Sequence, residues 1–298
     1  MRQLWQKGGF KGRQVWLGVG NQRVVVREIA VPYLPEKELR QSLGFQVQEF
    51  IPMPVDEAVL DFDPLGEFEQ DDRRMLRMLL VAAQRAMVDL LVQSVMAAKL
   101  EPMGLDLIPF ALVRAVGSSD VGLDLEEEPG QEAIVDIGSQ VTNIVVHARW
   151  TTRFVRILPS GGRDVTVTIA RAASIEDDVA ERLKRGIEVE EAGAPTPEDV
   201  RQVALQRAGT FVDEVRSSLE FYTAQVREAR IARVLITGGG SRLEGLLELM
   251  RQRIPVPVDA GRVFAHAPSQ LELSEVATAE AEPVLATAVG LAISGEDR

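Results

Sequence analysis

The sequence contains no cysteine among its 298 residues. Disulfide bonds and thiolate metal sites are thereby excluded, and a reducing compartment is the natural expectation. Histidine is scarce too: only His147 and His266 occur, far apart and outside any ligand spacing such as HExxH. Both are expected in solvated or hydrogen-bonded surface roles. Positive charge is in deficit, with 33 Lys and Arg against 45 Asp and Glu for a net charge of −12. Such a chain has no surplus of cations to displace the counterions of a nucleic acid, so nucleic acid is not expected as a partner. No apolar run approaches the ~20 residues that span a bilayer. The basic start MRQLWQKGGFKGRQ lacks the apolar middle of a signal peptide. A soluble, cytoplasmic protein with no direct membrane insertion is expected. What is present is ordinary globular material, 46% hydrophobic and 26% charged, enough for two domains or one large segmented one.

The central stretch runs from Glu132 to His147, EAIVDIGSQVTNIVVH. Ala133–Val135 and Ile144–Val146 are too short and too β-branched for helices, and such apolar runs suit a sheet buried on both faces. The turn between them carries Asp136, Gly138, Ser139, Thr142 and Asn143. Backbone amides exposed at a glycine can cradle a phosphate, and a nearby carboxylate can hold magnesium directly or through water. An ordinary tight hairpin would use the same residues for turn geometry alone.

Upstream, Leu4 and Trp5 resemble the tail of an amphipathic helix ending at Gly8-Gly9, so Met1 is not expected to be the natural start of the domain. Strands are expected over 15–20, 23–31, 59–62, 75–83 and 104–108, and helices over 36–50 and 85–100. The acidic run 67–72 reads as a solvated loop. The order ββαββαβ gives a compact α+β unit of about a hundred residues. A helix over 111–116 and an exposed linker with Glu126-Glu127-Glu128-Pro129 follow.

Beyond the hairpin, a strand over 153–158 breaks at Gly161-Gly162 before a helix over 163–173. Ser174 and Asp177 read as a helix cap, with the helix running to Lys184. A loop over 186–197 precedes one long helix within 197–230, whose stripe Val212, Val215, Leu219 and Tyr222 reads as core. The buried-strand pattern Arg233–Thr237 leads directly into Gly238-Gly239-Gly240-Ser241. Ser241 and Glu244 match a capping box, and strand, glycines and helix together let a ligand approach the backbone, or a helix approach the sheet. The Pro-rich segment PVPVDAG reads as an edge strand, 269–282 as loop, and 283–293 as a final helix.

Together, VDIGSQVTNIVV at 135–146, the PEKEL and EFIPMP segments within 26–62, AERLKR at 180–185, RSSLEFY at 216–222, LITGGGSRLEGL at 235–246 and PVLATAVGLAI at 283–293 resemble the actin-like ATPases. Within them the chain is most similar to the type IV pilus assembly protein PilM family and, more distantly, to the cell-division protein FtsA. The resemblance implies an α/β actin-like ATPase (ribonuclease H-like) fold, incomplete at the N-terminus because no first DIG-type phosphate loop precedes Val15, with an inserted α+β subdomain. It implies an inserted unit over 13–117, a linker over 118–130, a nucleotide-binding core over 131–175 and 231–268, a helical subdomain over 176–230, and a return to the first subdomain over 269–298. Asp136, Gly138, Ser139 and Thr142 match the second phosphate hairpin, with Asp136 as the magnesium-linked carboxylate. Gly238, Gly239, Gly240 and Ser241 match the adenosine loop, and Glu181 and Lys184 the helix that touches ribose and adenine. ATP or ADP with magnesium is the implied cofactor, with a phosphate clamp short of its first loop.

The resemblance also implies a cytoplasmic scaffold, peripheral at the inner face of the cytoplasmic membrane, docking the N-terminal tail of a PilN-like inner-membrane protein. Other pilus platform proteins are further candidate partners. Nucleotide would act as a conformational clasp, and Phe45, Phe50, Ile51 and Met53 are candidates for groove or core. The alternative is an active ATPase or small-molecule kinase, which needs a carboxylate base near the acceptor. A membrane-bound filament former needs a basic amphipathic helix at the C-terminus, which the closing ISGEDR does not provide.

Overall fold

Thirteen-residue and twelve-residue strands joined by two aspartates form the backbone of the first unit. The computed structural model describes residues 1–118, 130–189, 195–226, 229–267 and 273–293. The linker acids 126–128, residues 190–194 of the 186–197 loop and the part of the ISGEDR tail beyond Ile293 lie outside the described residues. Helix α1 (Arg2–Lys7) precedes β1 (Gln14–Val19), β2 (Val24–Pro32), α2 (Glu36–Val47), β3 (Ala58–Gln70), β4 (Arg73–Gln84), α3 (Arg85–Ala97), β5 (Glu101–Leu107) and α4 (Ile108–Val116). β2, β4 and β3 pair antiparallel in that order, and β1 pairs parallel with β5.

The acidic run expected as a loop is instead the end of β3. Only Asp71 and Asp72 turn the chain, both at positive φ (51° and 58°), where aspartate is among the better-tolerated residues. The flanking charges are matched across the strands: Glu67 pairs with Arg74, and Arg77 stacks over Phe68 and reaches Glu28. One face of this sheet is covered by α2 through Leu39, Leu43 and Val47, all buried. Burying three such side chains contributes roughly 5–8 kcal/mol, an upper figure because the unfolded chain is already partly compact. Phe50, Ile51 and Met53 join the same core, whereas Phe45 is 88% exposed on α2.

The second unit is a five-stranded sheet in the order β10-β9-β6-β7-β8. Its strands are β6 (Gln131–Ile137), β7 (Thr142–Ala148), β8 (Thr151–Leu158), β9 (Ile231–Thr237) and the short edge strand β10 (Val258–Ala260). Its helices are α5 (Gly162–Ala173), α6 (Asp177–Lys184), α7 (Pro197–Gln225), α8 (Leu246–Arg253), α9 (Val263–His266) and α10 (Glu275–Ile293). β6 is central, antiparallel to β7 and parallel to β9, and is buried along Glu132–Ile137. One face packs on α7 and α8, the other on α4 and α10.

Several expectations are corrected here. His147 is buried (1% exposed), not at the surface, because register places it opposite Glu132, whose carboxylate lies 3.0 Å from its Nε2. Ser118 N–H and the Arg233 guanidinium also donate to Glu132, so the buried carboxylate is fully partnered. Ser174 ends α5 in a left-handed conformation (φ 54°), and Glu176 stands at the N-cap position of α6. Ser241 and Glu244 do not cap a helix: Gly239–Arg242 is a 3₁₀ turn, and α8 starts after Gly245 (φ 79°).

α10 begins at Glu275, inside the segment expected to be loop, and keeps Pro283 within it. Proline removes one helical donor, while its carbonyl here accepts from Gly238 N–H (3.0 Å) and Thr237 Oγ1 (3.2 Å). This helix is long and apolar enough to cross a membrane by length and composition, with a mean hydropathy of 1.4. Its Glu282, Ala286 and Gly290 are nevertheless buried in the fold, Glu282 paired with Arg262 and with the Phe264 amide.

Candidate functional site

The β6–β7 turn and the glycine turn after β9 meet because their parent strands are neighbours in parallel register, Asp136 beside Thr237. The first turn is closed by Gly138 N–H donating to Val141 O (3.0 Å). Its carbonyls then cap α5: Gly162 N–H donates to Gly138 O (2.9 Å) and Arg163 N–H to Ser139 O (2.7 Å). A Cβ on Gly161 would stand 2.5 Å from Gly138 O, so this close approach needs glycine. The second turn is equally tight, since a Cβ on Gly238 would lie 2.5–2.6 Å from Ile137 O, Ile137 N and Asp136 Oδ1. Gly239 differs: a Cβ there meets nothing within 4 Å, because it looks into open space.

That space is a cleft of about 540 Å³ between the two turns, α6 and α7. Of the residues expected to hold nucleotide, Gly138, Ser139, Glu181, Lys184, Gly239 and Gly240 line it. Asp136, Thr142, Gly238 and Ser241 are not part of that lining. The Thr142 hydroxyl is buried and donates to Ser160 O (2.8 Å), and the Ser241 hydroxyl donates to Gly238 O (2.7 Å). Asp136 is 9% exposed, 3.4 Å from the Asn143 amide nitrogen, and burial pushes its carboxyl up to about 6 against that hydrogen bond.

Glu181 and Lys184 are tied to each other and to α5. Lys184 Nζ donates to Glu181 Oε2 (2.6 Å), Thr166 Oγ1 (2.8 Å) and Gly162 O (3.0 Å). An ammonium has three protons, so all are engaged and the lysine acts as a staple between α6 and α5. For Glu181, burial is the largest influence and raises its pKa. The Lys184 and Thr166 hydrogen bonds, the Lys184 charge and Arg185 together outweigh it, holding the carboxyl below its ordinary value.

Sequence reasoning missed Arg185, Arg207 and Arg242, which also line the cleft. Arg207 comes from mid-α7 with no local motif; its guanidinium reaches Ser160 Oγ and Asp164 Oδ2, both at 3.3 Å. Gly161-Gly162 was legible as a strand break but not as cleft lining. Four cations against Glu181 and Glu244 make the lining net positive in an acidic chain, which suits an anionic ligand. The described residues hold no group of three metal-binding side chains, so water and ligand phosphates would have to supply most of the oxygens around a magnesium ion.

A profile of the type IV pilus assembly protein PilM family matches residues 1–296. Among solved structures, the PilM-PilN type IV pilus biogenesis complex superimposes with a TM-score of 0.82 and 26% identity, covering 100% of this chain and 84% of that one. The cell division protein FtsA of Pseudomonas aeruginosa is 27% identical over 212 residues, 64% of this chain and 48% of FtsA. FtsA of Neisseria meningitidis serogroup B is 23% identical over 203 residues, 60% of this chain and 46% of FtsA. The chain thus spans about half the length of the curated relatives it matches. The two-turn cleft, the sheet order and these similarities together give an actin-like ATPase fold, and the chain belongs to the type IV pilus assembly protein PilM family.

Proposed function

We propose that this protein is a cytoplasmic scaffold of the type IV pilus assembly platform, peripheral to the inner membrane, docking the N-terminal tail of a PilN-like membrane protein. The observation that carries this reading is the superposition of the whole chain on the PilM-PilN complex. The proposed division of labour assigns tail docking to 13–117, with 118–130 as linker. Segments 131–175 and 231–268 form the nucleotide core, 176–230 the helical subdomain, and 269–298 the return to the first.

The tail docks as an extended peptide in apolar contact with the α+β unit. Phe45 is the candidate anchor, because Phe50, Ile51 and Met53 are committed to the core while Phe45 is free. Phe45→Ser should weaken binding of a PilN-like tail peptide about tenfold or more with stability changed by less than about 0.5 kcal/mol. Calorimetry with the peptide checks this; unchanged affinity would remove Phe45 from the interface.

ATP or ADP in the cleft serves as a clasp. The amides of Gly239 and Gly240 head the 3₁₀ turn and have no acceptor within it. They and the β6–β7 turn face the phosphates or sugar, Arg207 and Arg242 supply positive charge, and Glu181 Oε1 retains a lone pair for a ribose hydroxyl. Asp136 is the residue that would hold magnesium, since a cation would relieve a buried carboxylate whose hydrogen bond among the described residues is to Asn143. Glu181→Gln should weaken nucleotide binding about fivefold to twentyfold, the loss expected for a charged hydrogen bond, as read by titration calorimetry. An affinity equal to wild type would place the ribose elsewhere.

The alternative, an ATPase or small-molecule kinase, is less favoured because Glu181, a carboxylate in the cleft wall, is held ionised by three donors and is a poor proton acceptor. Nucleotide turnover abolished by Asp136→Ala would support it.

A further inference from the structure

We propose that Arg207 reads the terminal phosphate of a bound nucleotide and so lets the cleft tell a nucleoside triphosphate from a diphosphate. The inference rests on the nucleotide reading above and deepens it, because it concerns which nucleotide the same cleft retains. The cations of the lining differ in what already occupies them. Lys184 has all three protons engaged, and Arg185 Nε donates to Glu181 Oε1 (2.7 Å). Arg242 belongs to the glycine turn after β9 and lies 3.8 Å from Glu280. Arg207 is held against the β6–β7 turn instead, its Nη2 lying 3.3 Å from both Ser160 Oγ and Asp164 Oδ2. Ser160 is tied to that turn, since its carbonyl accepts from Thr142 Oγ1 (2.8 Å), and the next residue, Gly161, packs on the Ser139 carbonyl.

That hold is weak. Both 3.3 Å contacts are long for a guanidinium on a carboxylate, whose charged hydrogen bonds settle at about 2.7–2.9 Å. Asp164 Oδ2 is also shared, because it accepts from the Ser160 hydroxyl (2.8 Å) and from Gly161 N–H (3.0 Å). Nη1 of Arg207 is buried and has no acceptor among the described residues. A buried donor without an acceptor is unfavourable, and native folds keep few of them. Arg207 is thus the cation of the lining with a donor to spare and the least to give up.

A phosphate supplies what is missing. Its oxygens accept two parallel N–H bonds from one guanidinium, which satisfies Nη1 and replaces the two long contacts. A terminal phosphate carries more charge and more free oxygens than an inner one, so it competes best with Asp164 for the arginine. With a diphosphate, Arg207 stays on Asp164. The exchange also reaches the helices. Arg207 belongs to α7, and Asp164 Oδ2 accepts from Gly161 N–H at the start of α5, so a triphosphate unties the two helices and a diphosphate leaves them joined. A ligand shifts a fold only through contacts that differ between its states, and this contact differs.

Titration calorimetry with magnesium and either ADP or the non-hydrolysable β,γ-imido analogue of ATP reads the ratio of the two affinities. The wild type should favour the triphosphate by about tenfold or more, the gain expected of a charged bidentate contact. Arg207→Gln should lower triphosphate affinity about tenfold or more and ADP affinity by less than about threefold. Asp164→Asn keeps an acceptor for Ser160 and Gly161 but removes the competing charge. It should raise triphosphate affinity about threefold or more and move ADP affinity less. An arginine that only braces α7 against α5 would instead weaken both nucleotides alike in Arg207→Gln, and Asp164→Asn would weaken them too. Equal wild-type affinities, or equal losses in Arg207→Gln, with nucleotide still bound by the wild type, would overturn the sensor and leave the nucleotide reading standing. Failure of the wild type to bind either nucleotide would overturn both.

Discussion

Replacing Gly238 with alanine should destabilise the protein by about 3–5 kcal/mol, whereas Gly239→Leu should cost less than about 1 kcal/mol. The residues are adjacent, both glycine, and both beside the cleft, yet their surroundings are opposite. Gly238 has φ 84° and ψ 159°, a region open essentially to glycine alone, worth about 1–3 kcal/mol of strain for any other residue. Its Cβ would also press on the backbone of Ile137 and the carboxylate of Asp136, neither being the end of a flexible side chain. Overpacking of that kind adds about 1–3 kcal/mol. Against a total stability of about 5–15 kcal/mol, the sum is a large share. Urea unfolding of both variants reads the difference. Equal destabilisation would mean that the turn relaxes and that the two strands are less tightly coupled than their geometry indicates.

A second substitution should stabilise. Asp136→Asn is expected to raise stability by about 2–3 kcal/mol at pH 7.5 and to leave it unchanged near pH 3.5. The sign follows from burial: the folded carboxyl titrates at about 6 against an ordinary value of 3.8. A pKa raised on folding favours the folded state fully below the unfolded value, and that advantage is lost as pH rises through the folded one. Above about pH 6 the wild type carries a buried charge that asparagine does not, and two pKa units correspond to about 3 kcal/mol. Unfolding free energies of both proteins from pH 3.5 to pH 8 check this. A difference that does not grow between about pH 4 and pH 6 would show the carboxylate to be better solvated than its position implies. A stabilising loss at a residue placed next to the ligand fits a site held at the expense of the fold.

The fold was legible where burial is two-sided and local. Ala133–Val135 and Ile144–Val146 gave themselves away by β-branched runs, and Arg233–Thr237 by the glycines that follow. Legibility failed where the deciding contact is distant in sequence. β3 extends through Glu67–Gln70 because Arg74 and Arg77 lie across the turn, which no local pattern in an acidic stretch reveals. His147 is buried because register sets it against Glu132, fifteen positions away. Lys184 reads in sequence as a partner of Glu181 on the ribose-facing helix, but its three protons are engaged partly by Gly162 and Thr166 from another helix. Arg207 joins the cleft from the middle of a 29-residue helix whose pattern reads as core packing. The two glycine turns were identifiable one by one, and the family resemblance set them on one cleft; what joins them physically is the parallel pairing of β6 with β9.

The central claim, that the space between those turns takes a nucleotide, is tested most directly by titrating ADP and ATP with magnesium into the wild type and Gly239→Leu. The account predicts saturable binding of one nucleotide per chain in the wild type. It predicts that binding drops by about a hundredfold or more in Gly239→Leu, whose side chain enters the cleft, while the fold stays intact. Undiminished binding by a folded Gly239→Leu protein, or no binding by the wild type, would contradict it.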